Sequence, residues 1–134
     1  MTKLIDITSF NAVKESEIAI PLSMKTTDGQ DTGVTFLVIG RYAEPVQKWS
    51  KRIFAEYQRE ADIAKRKGKE PASKSIDELR EQNIEGAIVR VSGWQGVKQE
   101  FSKEILKQAL EANPHWVDAI VEESDNAANF TKAL

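Results

Sequence analysis

Val89-Arg-Val-Ser-Gly-Trp-Gln-Gly-Val-Lys-Gln-Glu-Phe-Ser-Lys-Glu-Ile-Leu-Lys-Gln-Ala-Leu110 is the stretch on which the reading of the fold turns. Gly93 and Gly96 bracket a single indole, Trp94. Two residues without a Cβ beside a large ring mark a corner where the backbone takes unusual angles and the ring packs. Upstream, Ile84, Ala87, Ile88 and Val91 recur at helical spacing. Downstream, Ser102 stands at a helix-cap position, and Phe101, Ile105, Leu106, Ala109 and Leu110 form a second stripe. The stretch therefore reads as a helix end at Ser92-Gly93, with Gly93 as a left-handed cap, a tight turn, and a new helix.

Working outward, the upstream helix opens at Ser75, which stands three residues before Glu78 in capping-box spacing. Its stripe starts with Ile76 and Leu79. Gly86 interrupts it at a cost of about 1 kcal/mol relative to Ala, which predicts that a neighbouring backbone approaches there. Before it, Val46, Trp49, Ile53, Tyr57, Ala61 and Ala64 mark a long helix over 46–66, with Pro45 in its first turn and Phe54 widening the stripe. The simplest partner for that stripe is the stripe of the 76–91 helix, in an antiparallel helical hairpin. Past the opening stretch, Asn113-Pro114 reads as a cap and first turn, and Trp116, Val117, Ile120 and Val121 carry the last helix to about Ser124. Residues 125–134 form a polar tail with two apolar anchors, Phe130 and Leu134.

The N-terminal part has a different period. Ile18, Ile20, Leu22 and Met24 alternate, with Pro21 placing the segment at a sheet edge. Asp28-Gly29 and Gly33 are turn chemistry, and Val34-Thr-Phe-Leu-Val-Ile-Gly40 is a clear strand. The pair predicts a β-hairpin over 18–40. A lone hairpin is marginal in water, so it needs a third strand from the leader, residues 3–8, or a strand added along its free edge by another chain. The fold class is thus α+β and mostly helical, a hairpin or small antiparallel sheet on about four helices. The 134 residues form one domain: leader 1–17, hairpin 18–40, helical part 45–124, tail 125–134.

Composition narrows the function. Net charge is −2, without the basic excess of a dedicated nucleic-acid binder. No cysteine is present, which removes disulfides, thiolate catalysis and cysteine zinc sites. No run approaches the ~20 apolar residues of a membrane span, and Met1-Thr-Lys-Leu-Ile-Asp6 has no signal-peptide core, so a soluble intracellular protein is expected. The one histidine, His115, has no second His or Cys to complete a metal or catalytic set, and reads as structural. Asp28-Gly-Gln-Asp-Thr-Gly33 lacks the ligand alternation and terminal Glu of a calcium loop. The basic cluster Lys65-Arg-Lys-Gly-Lys69 has no interleaved aromatics and reads as a solvated helix end. No catalytic, cofactor-binding or metal-ligating residue is expected. The candidate partner-binding residues are Trp94, Val97, Phe101 and Phe130, since a two-glycine corner can project an indole as an interface anchor.

Four features in order, over about residues 18–132, resemble the tail assembly chaperones (minor tail proteins) of long-tailed bacteriophages. They are the hairpin ending in Val34-Thr-Phe-Leu-Val-Ile-Gly40, the charged amphipathic helix 46–66, Val91-Ser-Gly-Trp-Gln-Gly-Val97 followed by Phe101-Ser102 and a helix to Asn113-Pro114, and the ending Ile120-Val-Glu-Glu-Ser124 through Asn129-Phe130. The chain departs from the pattern at Pro45, where a small polar cap is more usual, and in the leader. The resemblance implies a non-enzymatic protein that binds the tape measure protein, helps recruit the major tail protein, acts in the host cytoplasm and leaves before the virion matures. Self-association through a free strand edge is compatible with it; a small-molecule substrate, nucleic acid and membrane are not expected as partners. The alternative is a small helical regulatory or nucleic-acid-binding domain using the basic 65–69 loop and the 102–121 helix pair, whose Glu111, Asp118, Glu122 and Glu123 are hostile to phosphates.

Overall fold

The computed structural model of the chain describes residues 3–131. A 3-10 turn (Ile7–Ser9) and a short helix α1 (Ala12–Ser16) lead into strands β1 (Ile20–Lys25) and β2 (Asp31–Val38). Helix α2 (Glu44–Arg66), helix α3 (Ile76–Ile88), strand β3 (Val91–Gln95), helix α4 (Lys103–Ala112) and helix α5 (Pro114–Asp125) follow, then a 3-10 turn (Ala127–Asn129). The class is α+β, mostly helical, with a three-stranded antiparallel sheet in the order β1-β2-β3.

The third strand is neither the leader nor another chain but the opening stretch itself. Residues 7–9 are a 3-10 turn, and α3 ends at Ile88 rather than at Ser92-Gly93. Val91 pairs with Val38, Gly93 with Leu37 and Trp94 with Phe36, so Ser92 is the extra residue of a β-bulge. The bulge puts Val91 and Trp94, three residues apart, on the face that carries Val38 and Phe36. A regular strand would set that spacing on opposite faces. Three-residue spacing imitates a helix stripe, and this is why the strand reads as helix in the sequence. Gly93 is correspondingly no left-handed cap; Gly96 takes the positive φ, +75°. A Cβ there would lie 2.2 Å from the Gly33 carbonyl oxygen, so β2 and β3 close at this end only because position 96 is glycine.

The inner face of the sheet supplies Met24, Phe36 and Val38, and helices α3, α4 and α5 supply Ala87, Leu106, Leu110, Val117 and Ile120, all buried in one cluster with Val91. Full burial of a side chain such as Leu106 or Phe36 contributes about 2–3 kcal/mol. Local signals set the helix ends. Ser75 Oγ accepts from Glu78 N at 3.1 Å, and Ser102 Oγ from Ile105 N at 3.4 Å. Pro114 opens α5 as expected, but Asn113 does not cap it; its Nδ2 donates to the Ala109 carbonyl of α4. Phe130 is buried against Gly40, while Leu134, the other expected anchor, lies outside the described residues.

Helix α2 departs most from expectation. Only Val46 of it is buried, in a second small cluster with Ile39 and Ala43. Of the expected antiparallel hairpin with α3, only one end packs. The two helices meet where the Trp49 ring seats on Gly86 and where Arg52 pairs with Glu85. At Gly86 the close neighbour is that indole, 2.8 Å from where a Cβ would stand, not a backbone. The apolar residues of α3 that were expected to cover α2 point instead at α4 and α5 (Ile84, Ala87) or at solvent (Ile76).

Candidate protein-interaction face

Trp94 and Phe101 are brought together. Their rings meet edge to face at 5.0 Å, Trp94 lies 6.1 Å from Phe36, and its indole N–H donates to the Gln99 carbonyl at 2.9 Å. The indole is thereby committed to the sheet and to the 96–101 turn, with part of its surface still open. Val97 is half-buried just beyond β3. Phe130 is seated elsewhere, against Gly40. The four residues singled out in the sequence therefore do not form one surface.

A second aromatic group ties the helices to the hairpin. Trp116 meets Phe36 edge to face at 5.7 Å and donates its indole N–H to the Lys25 carbonyl at 2.7 Å. His115 Nε2 lies 2.9 Å from the same oxygen. A carbonyl only accepts, so this contact keeps the imidazole proton on Nε2. The histidine is a strut between α5 and the end of β1. Among the described residues no group of three or more His, Asp or Glu side chains could hold a metal ion. In the 26–33 loop the carboxylates are engaged locally: Asp28 takes the Thr26 hydroxyl, and Asp31 accepts the Gly33 N–H at 2.9 Å.

Arg90 fixes the root of α2. The side chain is buried, its Nη1 donates to the Gly86 carbonyl at 2.7 Å, and its Nη2 stands 3.5 Å from Asp125. The guanidinium also lies 5.6 Å from the centre of the Trp49 ring. Burial pushes its pKa down and the Asp125 charge opposes that shift. Trp49, the end of α3 and the end of α5 are thus joined through one cation. Its backbone carbonyl adds the start of the loop after β2, accepting from Ile39 N at 2.8 Å.

Beyond this root α2 runs on with its apolar stripe uncovered. A helix of its 23 residues is ~34 Å long, against ~20 Å for the 13 of α3. The segment 71–74 and the first turns of α3 flank α2 without closing over it. Between them lies an open groove of about 790 Å³, walled by Ile53, Phe54 and Tyr57 on one side and by Pro71, Ala72 and Leu79 on the other. Phe54 is 62% exposed, Tyr57 59% and Leu79 45%. Contiguous apolar area of this kind marks interaction surfaces rather than the scattered hydrophobes of any protein exterior. The sequence shows these residues as part of a stripe. The signal that the stripe would stay open is the length mismatch between the two helices.

The opposite side of α3 is different in character. There Asp77, Glu81, Glu111 and Asp118 rim a groove floored by Ile84, Leu110 and Val117. The α4–α5 pair presents carboxylates at its surface, and the basic residues Lys65, Arg66, Lys67 and Lys69 stand exposed at the far end of α2. Among the described residues no helix is long and apolar enough to cross a membrane. The chain matches no protein-family model, no curated protein and no solved structure.

Proposed function

We propose that the protein is a non-enzymatic tail assembly chaperone of a long-tailed bacteriophage, binding the tape measure protein through the open face of α2. The observation that carries this reading is the uncovered groove of Ile53, Phe54, Tyr57 and Leu79 along a helix far longer than its neighbour. Such a groove suits the apolar face of an amphipathic helix, anchored by residues three and four apart. A tape measure protein is a long helical chain that exposes many such faces. One groove supplies modest affinity, and many copies along one polymer bind by multivalency. The order of elements in the sequence that resembles these chaperones supports the same reading, including recruitment of the major tail protein, action in the host cytoplasm and absence from the mature virion.

The test is co-expression with a tape measure protein. The expected result is co-purification and a gain in the partner's solubility, both lost in Phe54→Ser/Tyr57→Ser while the variant keeps the wild-type melting temperature. No co-purification with the wild-type chain would sink the reading.

A further inference from the structure

We propose that copies of this chain associate head to tail, the basic end of α2 in one copy seating in the acidic groove between α3 and the α4–α5 pair of the next. Charge is divided unevenly along the chain. From Glu44 to Lys74 nine Lys and Arg stand against five Asp and Glu, whereas the rest carries ten against sixteen. The donor end is Lys65, Arg66, Lys67 and Lys69, all exposed and without an ion pair among the described residues, with Ile63 as its apolar residue. The acceptor is the groove of about 540 Å³ floored by Ile84, Leu110 and Val117. Of its rim carboxylates, Glu81 is paired with Lys107 at 2.7 Å, and Lys107 also attracts Glu111 more weakly. Asp77, Glu111 and Asp118 have no ion-pair partner among the described residues. Arg80 also lines the groove and Glu70 follows Lys69, so neither surface is of one sign, but carboxylates outnumber cations in the groove and cations outnumber carboxylates at the end of α2.

Geometry makes the contact intermolecular. Leu79, Gln82 and Gly86 define the side of α3 that faces α2. Asp77, Glu81 and Ile84 lie on its other side, about half a helical turn away. The end of a chain's own α2 is therefore separated from its own acidic groove by the body of α3. Because donor and acceptor are different surfaces, the contact is heterologous and continues from copy to copy, as a row or a ring, rather than stopping at a two-fold dimer. The apolar groove of α2 is used by neither partner and stays free in every copy.

The experiment is sedimentation velocity on the full chain from micromolar to submillimolar concentration at low and high salt. Growth beyond a dimer with concentration is expected, and it should fade as the Debye length falls towards ~3 Å at 1 M salt. Lys65→Glu/Arg66→Glu/Lys67→Glu should weaken association about tenfold or more, and so should Glu111→Lys/Asp118→Lys. A chain carrying both sets of reversals should associate again, which a mere loss of folding cannot imitate; circular dichroism checks the fold of each. A wild-type chain that stays monomeric at low salt overturns the proposal. So does association that neither set of reversals changes, since another face then carries it.

Discussion

Replacing Gly96 by alanine tests the closure of β2 on β3. Gly96 has φ +75°, and an added Cβ would stand 2.2 Å from the Gly33 oxygen. An ordinary C···O contact is ~3.3 Å, so the two backbones must part by roughly 1 Å. Holding alanine in the left-handed region costs about 1–2 kcal/mol. The adjacent pair, Thr35 with Gln95, sits at the end of the ladder and takes the displacement. A weakened backbone hydrogen bond there adds about 0.5–1.5 kcal/mol. Gly96→Ala should therefore destabilise the fold by about 1.5–3.5 kcal/mol, a large share of the ~5–15 kcal/mol of a typical domain. The assay is equilibrium urea unfolding followed by tryptophan fluorescence, to which Trp94 in the same strand reports. Gly29→Ala is the matched control: φ is +88°, with open space where its Cβ would go. It should lose only the conformational part, about 1–2 kcal/mol. Equal losses for the two variants would refute the close approach of β2 and β3.

Trp94→Ala should cost about 3 kcal/mol because it removes the ring that joins Phe36 to Phe101, whereas Phe54→Ala, at an exposed position, should stay within about 0.5 kcal/mol. Thermal melts distinguish them, and an unaffected Trp94→Ala would remove the indole from the packed sheet. Trp116→Phe keeps an aromatic side chain but drops the donor to the Lys25 carbonyl and some packed volume, so a loss of about 1 kcal/mol or more in urea unfolding is expected; wild-type stability would show that His115 alone holds that oxygen. Asp31 is held below its ordinary pKa of 3.8 first by the Gly33 N–H and then by Lys25. A lowered folded value means the unfolded chain binds the proton more readily, so this contribution is present above pH 3.8 and is lost as pH falls through the folded value. Asp31→Asn should flatten the acid limb of a stability profile, and an unchanged limb would contradict the assignment.

Local chemistry was legible in the sequence where a few neighbouring residues suffice. The Ser75 and Ser102 caps, Pro45 and Pro114 in first helical turns, and the Asp28-Gly29 turn between alternating strands stand where they were read. Each depends on contacts within one or two turns of chain, so no distant partner had to be known. The candidate site was legible only in part. The α2 stripe was visible; Trp94 and Phe101, singled out separately, pack on each other, and Trp94 on Phe36, with part of each ring still open.

By itself, then, the sequence determined the class, the main helices and the hairpin, because period and capping are short-range properties. Two facts were decided only in the folded chain. The third strand came from Val91–Gln95, whose one-residue bulge changes the spacing of its buried side chains from two to three. The apolar face of α2 was left open because α3 turns most of its own stripe to α4 and α5. Periodicity shows that a face is apolar; which surface covers it depends on lengths and directions that only packing fixes.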